Sequence, residues 1–182
     1  MTLTFPRWLP LLLLPTLYFP VQHSLQDLRA DPLEARAQAA LETADFDGAR
    51  QALRAAVQAD PRDASLEVQL GRLARTAWIF LGDAGGKQEA DAAFERAAQL
   101  SPHWTTPPYE HALMYAGSRQ PEQALAYLDR ALELDPNNAG FWLERGRILE
   151  ALGRTADARA AYQRSQEIYP NPDAQAALNR LN

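Results

Sequence analysis

One ruler runs through this chain. Ala124, Leu128, Ala131 and Pro136 are followed 34 residues later by Ala158, Tyr162, Ser165 and Pro170. They are preceded 34 residues earlier by Ala90, Phe94, Ala97 and Pro102. One step further back the gap widens to 41 and lands on Ala49, Leu53, Ala56 and Pro61. A fixed period of this length outranks any single-residue motif. It means that one supersecondary unit has been copied, and that each copy buries its apolar face on the next.

The unit is helical. Alanine, leucine, arginine and glutamine are abundant while valine and isoleucine are sparse, a composition that favours helix nearly everywhere. The 13 prolines fall at the N-terminus and in the joints between helices. A net charge of -5 argues against nucleic acid, which asks for a basic face. The absence of cysteine excludes disulfides, a thiol nucleophile and thiolate-bound zinc.

Residues 1–24 form an apolar segment. From Trp8 to Val21 only Thr16 and the prolines interrupt it; Arg7 precedes it, and Asp27 and Asp31 follow. This predicts an export signal or a membrane anchor, and so a membrane-anchored or exported chain on the extracytoplasmic side. Against it, the run is shorter than the roughly 20 residues of a helical span, and Pro10, Pro15 and Pro20 break it. The alternative is a cytoplasmic chain whose start is not a targeting signal. Residues 25–30 are a linker, and the repeat domain spans 31–182.

Within it, repeats are expected at about 30–61, 64–102, 105–136 and 139–170, with a capping helix at 172–182. Asp31, Asp63, Thr106, Asn138, Thr155 and Asn171 are the expected N-caps. The second repeat carries seven extra residues, placed here as an extension of its first helix by roughly 10 Å. The extension brings in Trp78, Ile79, Phe80 and Leu81, with Leu81 continuing the stripe Leu66, Leu70, Leu73 and Ala77. Gly82 to Gly86 then breaks the helix. The last helix has one polar face, as the exposed end of a stack requires.

In the fourth copy Trp142, Gly146, Leu149, Gly153, Ala158, Tyr162 and Pro170 stand at the spacing of the tetratricopeptide repeat, which this chain resembles. The third copy keeps Ala112, Tyr115, Ala124, Leu128, Ala131 and Pro136, with Pro108 where tryptophan is usual. The first two keep mainly their second-helix positions. The resemblance implies an all-α, right-handed solenoid of four stacked helix-turn-helix units plus the capping helix. It also implies an interaction scaffold: the first helices line a groove that receives a protein or peptide partner.

Carried over position by position, that groove comprises Glu34 and Gln38; Val68, Arg72 and Arg75; Tyr109 and Leu113; and Leu143, Arg147 and Glu150. Arg72, Arg75 and Arg147 suit a carboxylate, because guanidinium meets it in a two-pronged fork. The asparagines of the sub-family that clamps chaperone C-termini are absent. A second candidate surface is the apolar patch Trp78, Ile79 and Phe80, with Trp104 near it; its alternative is a widened core contact.

Little in the sequence points to chemistry. His23, His103 and His111 form no zinc motif, and His103 and His111 read as structural or surface residues. No phosphate loop, dinucleotide fingerprint or nucleophile elbow is present. Lys87 is the sole lysine. No enzyme activity, cofactor or metal is expected. The expected role is recruitment or assembly of proteins in the cell envelope. A cytosolic adaptor and an accessory subunit of an envelope polysaccharide or glycan enzyme stay open beside it.

Overall fold

The computed structural model describes residues 30–181. The N-terminal apolar segment lies outside them, and with it the expected membrane or export signal. The fold is an all-α solenoid of helical hairpins. Among the described residues there is no strand, and no helix is long and apolar enough to cross a membrane.

The chain divides into two compact units, up to Arg62 and from Asp63 onward. In the first, α1 (residues 30–42) is joined by a short turn to α2 (Phe46–Ala59). Asp45 caps α2, its side chain accepting from the Gly48 amide at 2.9 Å. Ala49, Leu53 and Ala56 are buried on one face, as their spacing predicts. Asp31 is not a cap: Ala30 before it is already helical, so Asp31 lies inside α1.

The second unit contains α3 (Ala64–Leu81), α4 (Gly86–Leu100), α5 (Thr106–Gly117), α6 (Pro121–Leu134), α7 (Ala139–Ala151), α8 (Thr155–Ile168) and α9 (Pro172–Arg180). Each helix packs on the next along the chain, and α3 also packs directly on α5. Asp63, Asn138 and Asn171 cap α3, α7 and α9 with side-chain hydrogen bonds. Two expected caps shift by one residue. Pro107 and Pro108 fit inside the first turn of α5, so its cap is Thr105 rather than Thr106; Thr155 is likewise the first residue of α8, after Arg154.

The hairpins close because small residues on the first helix meet large ones on the second. Gly146 lies against the Tyr162 ring, and a Cβ on Gly71 would stand 2.6 Å from the Phe94 ring. Ala124 and Ala158 are fully buried, as are Leu128 and Tyr162. The seven extra residues do lengthen the first helix of their hairpin: α3 has 18 residues where α5 has 12. Its last turn runs past the start of α4, which abuts α3 at Ala74 and Trp78 through Gly86. Leu81 therefore leaves the core stripe and is 56% exposed.

Candidate functional site: the inner face of the stack

The odd-numbered helices crowd together. Besides the direct contact of α3 with α5, Tyr109 of α5 lies on Phe141 of α7 with ring centroids 4.8 Å apart. These helices make the inner face of the second unit, the face that the groove positions were expected to line.

That face is laced by ion pairs between successive odd helices. Arg72 and Arg75 converge on one carboxylate, Glu110: Arg72 Nη2 is 2.6 Å from Oε1 and Arg75 Nη1 is 2.7 Å from Oε2. The two arginines stand three residues apart on α3, so both point across to the same spot on α5. On α7, Arg147 donates to Glu144 at 2.5 Å and to Asp173 of α9 at 2.9 Å. Glu150 accepts from Arg180 of α9 at 2.9 Å and from the Tyr162 hydroxyl at 2.8 Å. Those hydrogen bonds, Arg180's first, hold the Glu150 carboxyl below its ordinary value.

Tyr109 stands between the two arginine groups. Burial raises its phenol above the usual value, and the Glu144 and Glu110 carboxylates add to the shift. It stays neutral at any physiological pH. The inner face is thus a half-buried aromatic between two clusters of ion-paired charges.

The expected groove residues divide. Arg72, Arg75, Tyr109, Leu113, Arg147 and Glu150 stand on odd helices with exposed or half-buried side chains. The arginines suited to a carboxylate do hold one, but it is the chain's own. Val68 and Leu143 are corrections: they are 2% and 7% exposed. Val68 packs with Ala64 and Ala97 on the side of α3 facing α4, and Leu143 packs with Leu149, Ala158 and Tyr162. Both stabilise hairpins and cannot touch a partner. Glu34, half-buried, and Gln38, exposed, stand on α1 in the first unit.

The expected apolar patch also divides. Phe80 is 78% exposed beside Leu81. Trp78 and Ile79 are half-buried; Ile79 reaches the Gly117 end of α5, and Trp78 carries the Lys87 ammonium 5.8 Å from its ring centre. Trp104 is not near them. It packs on Ala64, Val68 and Ala97, and Val68 is twelve residues from Phe80 along α3, roughly 18 Å.

A polar cluster went unread in the sequence. His111 is 2% exposed. Its Nε2 lies 2.8 Å from Asp91 Oδ1, and its ring stacks on Tyr127 at 3.7 Å between centroids. Asp91 also accepts from Tyr115 at 2.9 Å and from Lys87 at 2.8 Å. Burial lowers the His111 pKa, with Asp91 opposing only in part. The neutral ring must therefore donate from Nε2, since a carboxylate can only accept. Burial pushes Asp91 up, but its hydrogen bonds from Lys87, His111 and Tyr115 outweigh that and hold it low.

A histidine paired with an aspartate has the ingredients of a general base. Here the ring is walled in by Tyr127, Tyr115 and Phe94, so no substrate atom reaches it. It joins α4 to α5 and α6. Among the described residues no group of three or more His, Asp or Glu side chains is placed to hold a metal.

Residues 109–173 match the family model of the tetratricopeptide repeat. No curated protein matches the sequence. Among solved structures the chain is similar to MamA from Desulfovibrio magneticus at a TM-score of 0.68 and 19% identity, covering 85% of this chain and 84% of that one. A structure from the functional characterisation of Pseudomonas aeruginosa pilF aligns at 0.67 and 17%, covering 86% and 68%. A thermophilic TPR protein of Thermus thermophilus aligns at 0.65 and 20%, covering 84% and 80%. At these identities the likeness is one of fold.

Proposed function

Because the chain is a tetratricopeptide-repeat protein, we propose that it is a non-enzymatic scaffold holding a peptide or helix of a partner protein on the face of α3, α5 and α7. The observation that carries this reading is the state of that face. Its charges are already paired and its central aromatic is already packed, so it meets a partner ordered in advance. Little side-chain entropy is left to lose on binding.

The pairing also sets where an acidic group of the partner enters. Glu110 is buried between Arg72 and Arg75, its side chain 9% exposed, and displacing it strands a desolvated carboxylate. Asp173 on Arg147 is 67% exposed and gives way at little cost. Arg147 is therefore the docking point for a carboxylate, with Tyr109 offering its ring to a neighbouring apolar side chain. Placement in the cell envelope, by tether or export, is part of the proposal; the composition of residues 1–24 supports it.

A photo-crosslinking amino acid installed at Leu113 in the full chain, in cells, tests the reading. We expect a discrete crosslinked protein from that site, lost in Arg147→Glu, and none from the same group at Ala126, which is exposed on α6. Equal crosslinking from both positions, or turnover of a substrate by the purified chain, overturns it. Alkaline extraction of membranes tests the tether separately.

A further inference from the structure

The outer edge of the stack holds a second surface, apart from the inner face. A pocket of about 240 Å³ opens where the α4–α5 joint meets α6. Its walls are Pro102, Trp104, Pro108 and Leu134, and its rim carries Arg130 and Glu133. The ruler explains the apolar half of its lining; the other half is polar. Pro102 ends a second helix, and Leu100 and Leu134 stand one period apart at the ends of α4 and α6, 39% and 38% exposed. Trp104 gives one side to the core at Ala64, Val68 and Ala97 and the other to the pocket. The volume falls below the roughly 300–1,000 Å³ of small-molecule sites, a size for one side chain rather than a cofactor.

The rim decides what flanks that side chain. Arg130 is turned away from the mouth: its Nη1 lies 3.2 Å from Glu95 Oε1, and its guanidinium covers the Tyr127 ring at 5.6 Å. Glu133 is exposed and sets the sign at the mouth. We propose that this pocket is a second docking surface, taking a leucine-sized apolar side chain of a partner protein flanked by lysine or arginine. It is independent of the inner face, so a scaffold of this form engages two partners, or two segments of one, at once.

The test uses two capped tripeptides, acetyl-Lys-Leu-Lys-amide and acetyl-Glu-Leu-Glu-amide, titrated into the full ¹⁵N-labelled chain at low ionic strength. The readout is the Trp104 indole N–H signal, assigned with Trp104→Phe. We expect saturable millimolar binding of the basic peptide, about threefold or more tighter than the acidic one. The preference should fade with salt and reverse in Glu133→Lys. Leu134→Glu, placing a charge at the mouth, should lose the binding while Tyr109→Ala leaves it intact. If Leu134→Glu unfolds the chain by circular dichroism, the Glu133→Lys reversal decides alone. No saturable shift at Trp104, equal affinity for both peptides, or a shift centred on Tyr109 overturns the proposal. A shift that grows with protein concentration alone also overturns it, since a second copy then fills the pocket.

Discussion

Arg119 holds the same left-handed backbone as Gly153, 34 residues further on: φ is 59° at the arginine and 72° at the glycine. Both residues turn the chain between the two helices of a hairpin. A Cβ in this region crowds the following carbonyl and costs roughly 1–2 kcal/mol, against which glycine adds unfolded-state entropy of about 0.5–1 kcal/mol. Arg119→Gly should therefore raise stability by about 0.5–1 kcal/mol, read as a higher urea midpoint at unchanged slope. Gly153→Ala should lower it by a similar amount. A destabilised Arg119→Gly would mean that the arginine side chain contributes more than its backbone costs.

Ala124 is fully buried where α6 crosses α5. Substitution by tryptophan should overpack the crossing and cost on the order of 1–3 kcal/mol. Gly146→Leu should do the same against the Tyr162 ring. Thermal unfolding of each variant checks the pairing, and a melting temperature that stays put would refute it.

The ion pairs of the inner face should differ in strength by their burial. Glu110 and Arg75 have side chains 9% and 22% exposed, whereas Asp173 and Arg147 are 67% and 47% exposed. A double-mutant cycle on Arg75 and Glu110 should give a coupling of about 1–3 kcal/mol. The same cycle on Arg147 and Asp173 should give less than about 0.5 kcal/mol and vanish in high salt. Equal couplings would remove the ground for placing the docking carboxylate at Arg147.

Hairpin pairing was legible in the sequence because the period fixes which residues face each other. Gly146 and Tyr162 are 16 apart, and so are Ala112 and Leu128. Gly71 and Phe94 were harder to pair, since the insertion spreads them to 23. Groove positions were legible as helix faces but not as depths. Val68 stands one turn from Arg72 on the same helix, yet a net rotation of about 40° points it into α4. The Asp91–His111 contact was out of reach. It joins residues of neighbouring repeats, and within each repeat they look like ordinary surface positions. A hint did exist: Lys87, Asp91 and Glu95 stand four apart on one stripe of α4, beside a chain with no other lysine.

The junction built around His111 should weaken in acid, and the sign follows from the shifts. Asp91 and Glu95 of α4, Tyr115 of α5, and Tyr127 and Arg130 of α6 surround the ring, and Lys87 is bonded to Asp91 and Tyr115 behind them. Burial sets the folded His111 pKa below the unfolded value of about 6.5. Below that value the unfolded chain takes up a proton that the folded chain refuses, so stability present above about pH 6.5 declines as pH falls through the folded pKa. Asp91 acts lower down. Its folded pKa lies under 3.8, so its contribution is present above that value and is lost as pH falls further through the folded pKa. Tyr127, raised to about 12 by burial, stays neutral throughout. Urea unfolding between pH 7.5 and 5 should show a falling midpoint in the native chain and a flatter profile in His111→Gln. An unchanged or rising midpoint toward pH 5 would mean that Asp91 and Glu95, 3.7 Å from Nδ1, stabilise the charged ring more than burial opposes it.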